Sequence, residues 1–238
     1  MNISILGTGR AGTSFDLALR AAGHNVQLLH HGETGRLAAP DLVLLCVPDD
    51  EIAVVAQQIA PDPHVVIAHV AGSRSLEILA PHARVASMHP LAALSSGEVG
   101  ARRLRGATYC VAGDDLVREV VASLDGRVIT LDDTQRTLYH ATASVAANHL
   151  VALLGQVERL AKEAGLTLED FLPLAQQSLD DVVAMGPALA LTGAASRGDM
   201  STIDAHLAAL PESERSTYVA MANAAFELAE SRRSQAPA

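Results

Sequence analysis

The stretch "NISILGTGRAGTSFDLALRAAGHNVQLLHH", residues 2–31, decides the fold of this 238-residue chain. A short run rich in β-branched residues stops at Gly7, a segment with helical spacing follows, and a second apolar run ends on two histidines. Gly7, Gly9 and Gly12 form the motif G-x-G-x-x-G at the turn between the first run and the helix. In this context the motif predicts a strand–helix–strand unit that binds a dinucleotide.

Each glycine has a predicted task in that unit. Gly7 permits the tight turn, Gly9 lets the backbone approach a pyrophosphate, and Gly12 lets the helix pack closely on the sheet. The free N–H groups at the helix N-terminus favour an anion there. The predicted cofactor-binding residues of this loop are Gly7, Thr8, Gly9, Arg10, Ala11 and Gly12. The alternative is a glycine-rich turn that binds nothing.

The end of the second strand bears on the choice of cofactor. In NAD enzymes an acidic residue about 20 residues beyond the glycines binds the ribose hydroxyls. His31 or Gly32 occupies that place, and Glu33 lies past the strand end. Without a carboxylate there, Arg36 can bind a 2′-phosphate through forked hydrogen bonds, with His30 or His31 beside it. The pattern favours NADP over NAD; alternatively, Arg36 is solvated and Glu33 takes the acidic role.

Beyond these residues the chain continues to alternate apolar strands and helices. The runs "DLVLLCVP", "VVIAHVAG", "RVASMHPL", "ATYCVAG" and "GRVITL" predict five further strands, and the alternation predicts a parallel α/β sheet with right-handed crossovers. Only helical segments follow, the first a long helix from Thr134 to Ala164. The predicted fold class is α/β: an N-terminal Rossmann-type parallel sheet (residues 1–132), an all-helical domain for substrate binding and dimerisation (133–232) and a disordered tail (233–238).

The composition limits the possible functions. Hydrophobic residues make up 49% of the chain and charged residues 18%, which indicates a folded globular protein. The net charge of −10 argues against a basic surface for nucleic acid or anionic membrane. Cys46 and Cys110 lie in apolar runs without metal-ligand spacing, so we expect buried thiols in a reducing compartment and no metal site. Because the first predicted strand begins at Asn2 and no apolar run reaches membrane-spanning length, we expect no signal peptide and a cytoplasmic location.

Ligands of parallel sheets bind beyond the carboxyl ends of the strands. Val47 and Pro48, after the third strand, are predicted to line the cofactor site, whereas the two aspartates that follow are expected to cap the next helix. Gly72 and Ser73, after the fourth strand, lie where the nicotinamide should rest. Ser73 can bind the substrate or the carboxamide, or it can cap a helix. His69, at the end of that strand, is expected to face the cleft.

His89 is the predicted proton donor or carbonyl-polarising residue. It ends the fifth strand and precedes Pro90, which holds it extended. Histidine suits this work because its unperturbed pKa is about 6.5. The alternative is a packed, neutral histidine.

The long helix carries His140, Ser144 and Asn148 at spacing i, i+4, i+8, so the three share one face. They are predicted to line an interdomain substrate cleft, or alternatively to bond to a neighbouring helix or a second subunit. Tyr139 is expected to point elsewhere. In the later loop "LTGAASRGD", Arg197 can bind a substrate carboxylate, pair with a nearby aspartate, or cap a helix.

The segments "ILGTGRAG", "LVLLCVPDD", "AHVAGS", "SMHPL", "YHATASVAANHLVAL" and "LTGAASRGD" together resemble a family of Rossmann-like proteins with a C-terminal domain of unknown function. That family lies in the 6-phosphogluconate-dehydrogenase-like superfamily, and the resemblance covers nearly the whole chain. Two positions depart from it. Ala71 replaces a usual Ser, which puts a hydroxyl contact near the nicotinamide in doubt, and Ala194 replaces a usual Pro.

The resemblance implies further properties. Pyrroline-5-carboxylate reductase, prephenate dehydrogenase and ketopantoate reductase are relatives in the superfamily. They imply a Rossmann domain, a helical C-terminal domain and homodimers built through the helices. The pairs Gly72–Ser73 and His89–Pro90 are similar to cleft motifs of prephenate dehydrogenases, which implies that Ser73 and His89 contact the substrate and the nicotinamide.

The sequence therefore predicts an NADP-dependent oxidoreductase. It would transfer a hydride between the nicotinamide and a carbonyl or imine of a small carboxylate substrate, with His89, Ser73, His140, Asn148 and Arg197 at the reacting centre. One alternative is a non-enzymatic NADPH-binding redox sensor that acts through a protein partner. Another is a reductase that links NADP to a deazaflavin, against which the aromatic content of 3% argues.

Overall fold

The computed structural model describes residues 1–95 and 97–235, the last three of these by their backbone alone. The chain divides into two compact units, one from Met1 to Ala147 and the other from Asn148 onward. Each unit has its own architecture and is described by itself.

A single sheet forms the centre of the first unit. Within the described residues it has seven strands in the order β2-β1-β3-β4-β5-β6-β7. They are β1 (Asn2–Leu6), β2 (Asn25–Leu29), β3 (Leu42–Leu45), β4 (Val66–His69), β5 (Val85–Pro90), β6 (Thr108–Gly113) and β7 (Arg127–Ile129). β3 reads LVLL and is buried on both faces, as a central parallel strand should be. The predicted α/β fold class is confirmed.

One strand pair departs from the predicted all-parallel sheet. β6 runs antiparallel to β5, with His89 opposite Cys110. The backbone N–H of Leu91, just past β5, donates to the carbonyl of Thr108 at the start of β6 (2.8 Å). The chain thus re-enters the sheet at the edge where β5 ends, whereas a parallel pair needs a crossover back to the opposite edge.

Helices cover both faces of this sheet. They are α1 (Arg10–Ala21), α2 (Ile52–Gln57), α3 (Gly97–Leu104) and α4 (Leu116–Ser123). A fifth helix, α5 (Arg136–Ser144), bonds to β5 through Arg136 and Tyr139. Side chains alternate between the two faces of each strand. On β4, Ala68 packs in the core with Phe15 of α1, whereas Ile67 packs in the core with Ile52 of α2. The two apolar layers hold the carboxyl ends of the strands in a fixed frame.

The first unit ends later than the composition indicates. The predicted boundary lies near residue 132, whereas in the structure α5 belongs with the sheet because Arg136 and Tyr139 bond to residues of β5. The long helix expected from Thr134 to Ala164 is also subdivided. A 3-10 turn precedes α5, and a π-helical segment, Val145–His149, separates it from the next α-helix.

The second unit is helical, as predicted. It contains α6 (Leu150–Glu163), α7 (Leu172–Met185), α8 (Pro187–Ala190), α9 (Gly193–Arg197), α10 (Met200–Ala209) and α11 (Glu212–Gln235). Glu214 joins α11 to α6, because its carboxylate accepts from Arg159 (2.6 Å) and its carbonyl from Gln156 (3.0 Å). Of the tail expected to be disordered, residues 233–235 are helical, and residues 236–238 lie outside the described residues. No helix in the described ranges is long and apolar enough to cross a membrane.

Candidate functional site

The phosphate loop between β1 and α1 requires two of its three motif glycines for internal packing. Gly7 has a φ of +114°, and its N–H donates to the carbonyl of Leu29 (2.9 Å). A Cβ on Gly7 would lie 2.3 Å from the carbonyl oxygen of Cys46. A Cβ on Gly12 would lie 1.8 Å from the carbonyl oxygen of Gly7. The fold itself therefore excludes side chains at these two positions.

Gly9 differs, because no protein atom lies within 4 Å of the place its Cβ would take. Its φ of −71° is open to any residue. It is the N-cap of α1, where no side chain caps the helix and no acidic residue occupies the first turn. Packing does not require glycine here, whereas the close approach of a phosphate to free N–H groups does. Because of this open space at the N-terminus of α1, the loop fits the pyrophosphate of a dinucleotide.

The end of β2 is organised by Glu33. Its carboxylate accepts from the backbone N–H of His30 (3.0 Å) and pairs with the guanidinium of Arg36. These two contacts, the backbone bond first, hold the pKa of Glu33 below its usual range. The Nδ1 of His30 lies 3.2 Å from the hydroxyl of Thr8, which links this segment to the phosphate loop, and His31 is exposed. Glu33 and Arg36, which are alternative ribose-end ligands in the sequence prediction, pair with each other in the structure.

Asp49, after β3, does not cap α2 as expected. The N-cap of α2 is Glu51, and no side chain caps this helix. The Asp49 carboxylate accepts from the hydroxyl of Ser73 (3.2 Å) and lies 3.5 Å from Nε of Arg74. The carboxyl ends of β3 and β4 are adjacent, so the nearby donors after β4 attract this carboxylate across the sheet edge. Val47 lies beside Gly7, and Pro48 is exposed.

Four residues at the ends of β4 and β5 and on α5 form a histidine cluster: Gly72, His89, Tyr139 and His140. Nδ1 of His89 lies 2.7 Å from the hydroxyl oxygen of Tyr139, and the two rings are nearly perpendicular. The His140 ring contacts His89 edge-on, with 5.9 Å between ring centroids. A Cβ on Gly72 would lie 2.8 Å from His140 Cδ2 and 3.0 Å from His89 Nε2. Gly72 is thus required by the two rings that pack on it.

The expectation that Tyr139 points elsewhere is wrong. Tyr139 and His140 are neighbours in α5, about 100° apart around the helix axis. Because α5 packs over the end of β5, two long side chains on adjacent positions can flank the same ring. Both therefore reach His89.

Burial governs the protonation of this cluster. Burial, and after it the neighbouring His140 ring, lowers the pKa of His89 from its ordinary 6.5 to about 4. Asp49 acts in the opposite direction and Arg136 in the same direction, each more weakly. Burial raises the pKa of the Tyr139 hydroxyl. At neutral pH the cluster therefore holds a neutral imidazole against a protonated phenol.

A polar layer of three residues lies beside the cluster on the same face of the sheet: His69, Ser87 and Arg136. Arg136 is only 2% exposed, donates from Nη2 to the hydroxyl of Ser87 (3.2 Å) and pairs with Asp133. His69 is fully buried instead of facing a cleft. Its Nδ1 accepts from the N–H of Ala71 (3.2 Å), and its Nε2 has no partner among the described residues.

Three residues of this region, Arg136, Tyr139 and Asp49, were not predicted as site residues from the sequence. One signal was present for Arg136: it is the only charged residue between Asp133 and Glu158, at the start of an apolar helix. A charge in that position indicates either a solvated helix end or a buried cation with partners. Only the contact of α5 with the sheet shows that Arg136 is a buried cation with partners.

The other predicted residues lie outside the cluster. Ser144 is half-buried near the end of α5. Asn148 is exposed and begins the second unit, and Arg197 is exposed at the end of α9. The aspartate near Arg197, Asp199, caps α10 by accepting from the N–H of Thr202 (3.1 Å). Across the described ranges, no three His, Cys, Asp or Glu residues lie close enough to hold a metal ion.

The C-terminal part of the chain matches a known protein family. Residues 109–225 match the family model of a domain of unknown function, DUF2520. Over these residues the chain is similar to the DUF2520 family. Together with the Rossmann-type sheet, this match confirms the resemblance to Rossmann-like proteins with a C-terminal domain of unknown function. No curated protein sequence matches the chain significantly.

Solved structures share the fold at low sequence identity. A candidate NADP oxidoreductase from Bacteroides fragilis is 18% identical with a TM-score of 0.82, over 95% of this chain and 98% of that one. A protein from Thermotoga maritima is 22% identical with a TM-score of 0.76, over 97% and 99%. Plasmodium falciparum pyrroline carboxylate reductase, solved with NADP bound, is 11% identical with a TM-score of 0.62, over 98% of each chain. These similarities confirm the two-part fold.

Proposed function

We propose that this protein is an NADP-dependent oxidoreductase that transfers a hydride between the nicotinamide and a carbonyl or imine of a small carboxylate. One observation carries the proposal: the phosphate loop with its open Gly9 and the histidine cluster lie at the same carboxyl edge of one sheet. Such an edge is where Rossmann-type sheets bind ligands. The name of the Bacteroides structure and the NADP bound in the Plasmodium reductase support the choice of cofactor class.

In this proposal the loop of residues 7–12 holds the pyrophosphate, with Thr8, Arg10 and Ala11 beside the motif glycines. Val47 and Pro48 line the cofactor, and Gly72 lies at its nicotinamide end. The bound nicotinamide supplies a hydride from C4. His89 donates or accepts the proton, and Ser73 and His140 contact the substrate. The roles of Asn148 as a pocket residue and of Arg197 as the carboxylate ligand stay predictions.

The preference for NADP rests on Arg36, assisted by His30 and His31. Arg36 is largely exposed, so it can turn to a 2′-phosphate, but it must first leave Glu33. A phosphate carries more charge than one carboxylate, and a guanidinium binds it through two parallel hydrogen bonds. We therefore propose that the 2′-phosphate displaces Glu33 from Arg36.

We also propose that the protein is a homodimer built through the C-terminal helices and that it works in the cytoplasm. None of the residues of α7 is buried, although its sequence, LPLAQQSLDDVVAM, is largely apolar. Leu174 is 62% exposed and Val183 87% exposed. A second copy of the chain would cover such a helix face. Two buried, free cysteines, Cys46 and Cys110, suit a reducing compartment.

A titration with NADPH and, separately, NADH tests the proposal, with nicotinamide fluorescence as the readout. Wild type should bind NADPH more tightly than NADH. The Gly9→Ala variant should weaken NADPH binding by roughly tenfold or more, because the new methyl group occupies the space left for the phosphate. The matched control is Gly155→Ala, since a Cβ there meets only the end of the Arg159 side chain at 3.7 Å. Equal NADPH binding by both variants would contradict the proposed phosphate site.

A further inference from the structure

We propose that Tyr139 fixes His89 as a hydrogen-bond donor at Nε2, so that the site reduces a carbonyl group and not an imine. The inference rests on the proposed function and chooses between the two substrate classes that it leaves open.

The hydrogen in the 2.7 Å contact between Tyr139 and His89 Nδ1 belongs to the phenol. Within the described residues, His89 is the only hydrogen-bond partner of the Tyr139 hydroxyl. If Nδ1 carried a proton, it would donate to the phenol oxygen, and the phenol hydrogen would have no protein acceptor among the described residues. The hydroxyl satisfies both groups when it donates to an unprotonated Nδ1. Burial also keeps the phenol protonated, because it raises its pKa.

The imidazole of His89 is neutral at pH 7. Burial and the neighbouring His140 ring lower the pKa of His89 to about 4, so the imidazole carries a single proton at neutral pH. Asp49 opposes this effect and Arg136 reinforces it. The Asp49 carboxylate is 45% exposed and shared with Ser73 and Arg74, whereas Arg136 is buried. With Nδ1 unprotonated, the single proton lies on Nε2.

Nε2 of His89 is accessible to a ligand. The atom makes no hydrogen bond with the described residues, and it is not sealed from solvent, in contrast to Nε2 of His69. It lies beside Gly72, where the absence of a Cβ allows the ring to approach the backbone. An N–H group that is held in place and has no protein acceptor is free to donate to a ligand.

The Nε2–H donor of His89 distinguishes between a carbonyl and an imine substrate. A carbonyl oxygen accepts a hydrogen bond, and its need for a donor grows as negative charge develops on it. The reducible form of an imine is the protonated iminium, whose N–H is itself a donor and requires an acceptor. The Nε2–H group therefore forms a hydrogen bond with a carbonyl oxygen, whereas it opposes the N–H donor of an iminium ion. The structure thus favours a ketone or aldehyde of a small carboxylate, such as a 2-oxo acid.

The reaction balances with these groups. The hydride adds to the carbonyl carbon, and the π electron pair of the C=O bond moves to the oxygen. The oxygen takes the proton from Nε2 of His89, and Nδ1 takes the hydrogen-bonded proton of Tyr139. Once the alcohol leaves, Nδ1 returns its proton to the Tyr139 oxygen, and water supplies a proton to Nε2, which is not sealed from solvent. The products are a secondary or primary alcohol and the oxidised nicotinamide.

Nitrogen NMR of the histidine rings tests the tautomer directly. Wild type should show His89 protonated at Nε2 and unprotonated at Nδ1 at pH 7. Tyr139→Phe should lose this uniform state and show a mixture of tautomers. The matched control is Tyr218→Phe, because the Tyr218 hydroxyl makes the same 2.7 Å contact with Nδ1 of His206 in the second unit. The control should leave the His89 signals unchanged. A wild-type His89 protonated at Nδ1 would overturn the proposal.

Turnover with NADPH tests the substrate class, with pyruvate and 2-oxobutanoate as carbonyl probes and 1-pyrroline-2-carboxylate as the imine probe. We expect kcat/KM at least about tenfold higher for a carbonyl probe, and a decrease of kcat by roughly 10- to 100-fold in Tyr139→Phe. The NADPH Kd should stay the same in that variant. Faster reduction of the imine probe would refute the inference alone, whereas failure of wild type to bind NADPH would refute the proposed function.

Discussion

Gly72 illustrates at the residue scale how one missing side chain organises a site. A Cβ at this position would lie 2.8 Å from Cδ2 of His140 and 3.0 Å from Nε2 of His89, which is too close for a methyl group. The residue is not in a left-handed conformation, so its backbone does not require glycine. The rings of His89 and His140 require it, and the cluster exists because this strand end has no Cβ.

The first prediction replaces Gly72 by Ala. The added methyl group must displace His89 and His140 or strain the strand end, so we expect a loss of roughly 1–3 kcal/mol in the free energy of unfolding. Urea denaturation measures it. Gly35→Ala is the matched control, because its Cβ would meet no atom within 4 Å. Equal stability of both variants would show that the rings move aside without cost.

The second prediction concerns the Glu33–Arg36 pair. Glu33→Gln removes the negative charge that holds Arg36, so the NADPH Kd should decrease several-fold while the NADH Kd changes little. Arg36→Met should raise the NADPH Kd by about tenfold, because a charge-assisted, forked hydrogen bond is lost. Fluorescence titration measures both. If Glu33→Gln instead weakened NADH binding selectively, the carboxylate would be the ribose ligand and the cofactor preference would reverse.

At the scale of elements, α5 and α7 differ in what covers them. α5 packs on the sheet through Arg136 and Tyr139, both of which bond to β5. α7 buries none of its residues, although it ranks among the more apolar helices of the chain. Amphipathic patterning predicts that a helix has an apolar face, but it does not identify the surface that covers this face. Only the tertiary structure shows that α5 bonds to the sheet and that α7 leaves its apolar residues exposed.

The third prediction follows for α7. Val183→Asp places a charge on its most exposed large apolar position, so the proposed dimer should dissociate into monomers. Val54→Asp is the matched control, since Val54 is 57% exposed on α2 of the first unit. Sedimentation velocity should show wild type and control as dimers and Val183→Asp as a monomer. A monomeric wild type would disprove the proposed dimer.

At the scale of the whole molecule, the buried His69 and the half-buried His89 connect folding to pH. Burial lowers the pKa of His69 to about 4, with Arg136 as the second cause, and burial likewise lowers the pKa of His89 to about 4. Unfolded histidines bind protons near pH 6.5, whereas the folded ones stay neutral to about pH 4. The unfolded state therefore gains protons first as the pH decreases. Stability is full above about pH 6.5 and decreases between pH 6.5 and 4.

The fourth prediction uses His69, whose side chain is fully buried. Between pH 7.5 and pH 5, it should account for a loss of up to about 2 kcal/mol in the free energy of unfolding. His69→Asn keeps an acceptor for the Ala71 N–H and removes the titrating ring, so its stability should decrease less over this interval. His206→Asn, at an exposed position, should behave like wild type. An equal pH dependence in all three proteins would exclude His69 as the source.

Sequence alone determined the features that depend on neighbouring residues in the chain. The glycine motif, the alternation of apolar strands with helices and the helical second part are local patterns, and all of them are found in the structure. Local hydrogen bonding and apolar periodicity suffice to specify such elements. The direction of β6 was missed, because strand direction depends on where the connecting chain re-enters the sheet.

Tertiary structure decided which side chains meet. Tyr139 contacts His89 across 50 positions of the chain, Arg136 contacts Ser87 across 49, and Ser73 contacts Asp49 across 24. No spacing rule connects residues so far apart, because their contact depends on how α5 packs over the sheet and on which strand ends are adjacent. Burial has the same origin: a histidine, a tyrosine and an arginine that would be ordinary when solvated acquire their protonation states from the layers that enclose them.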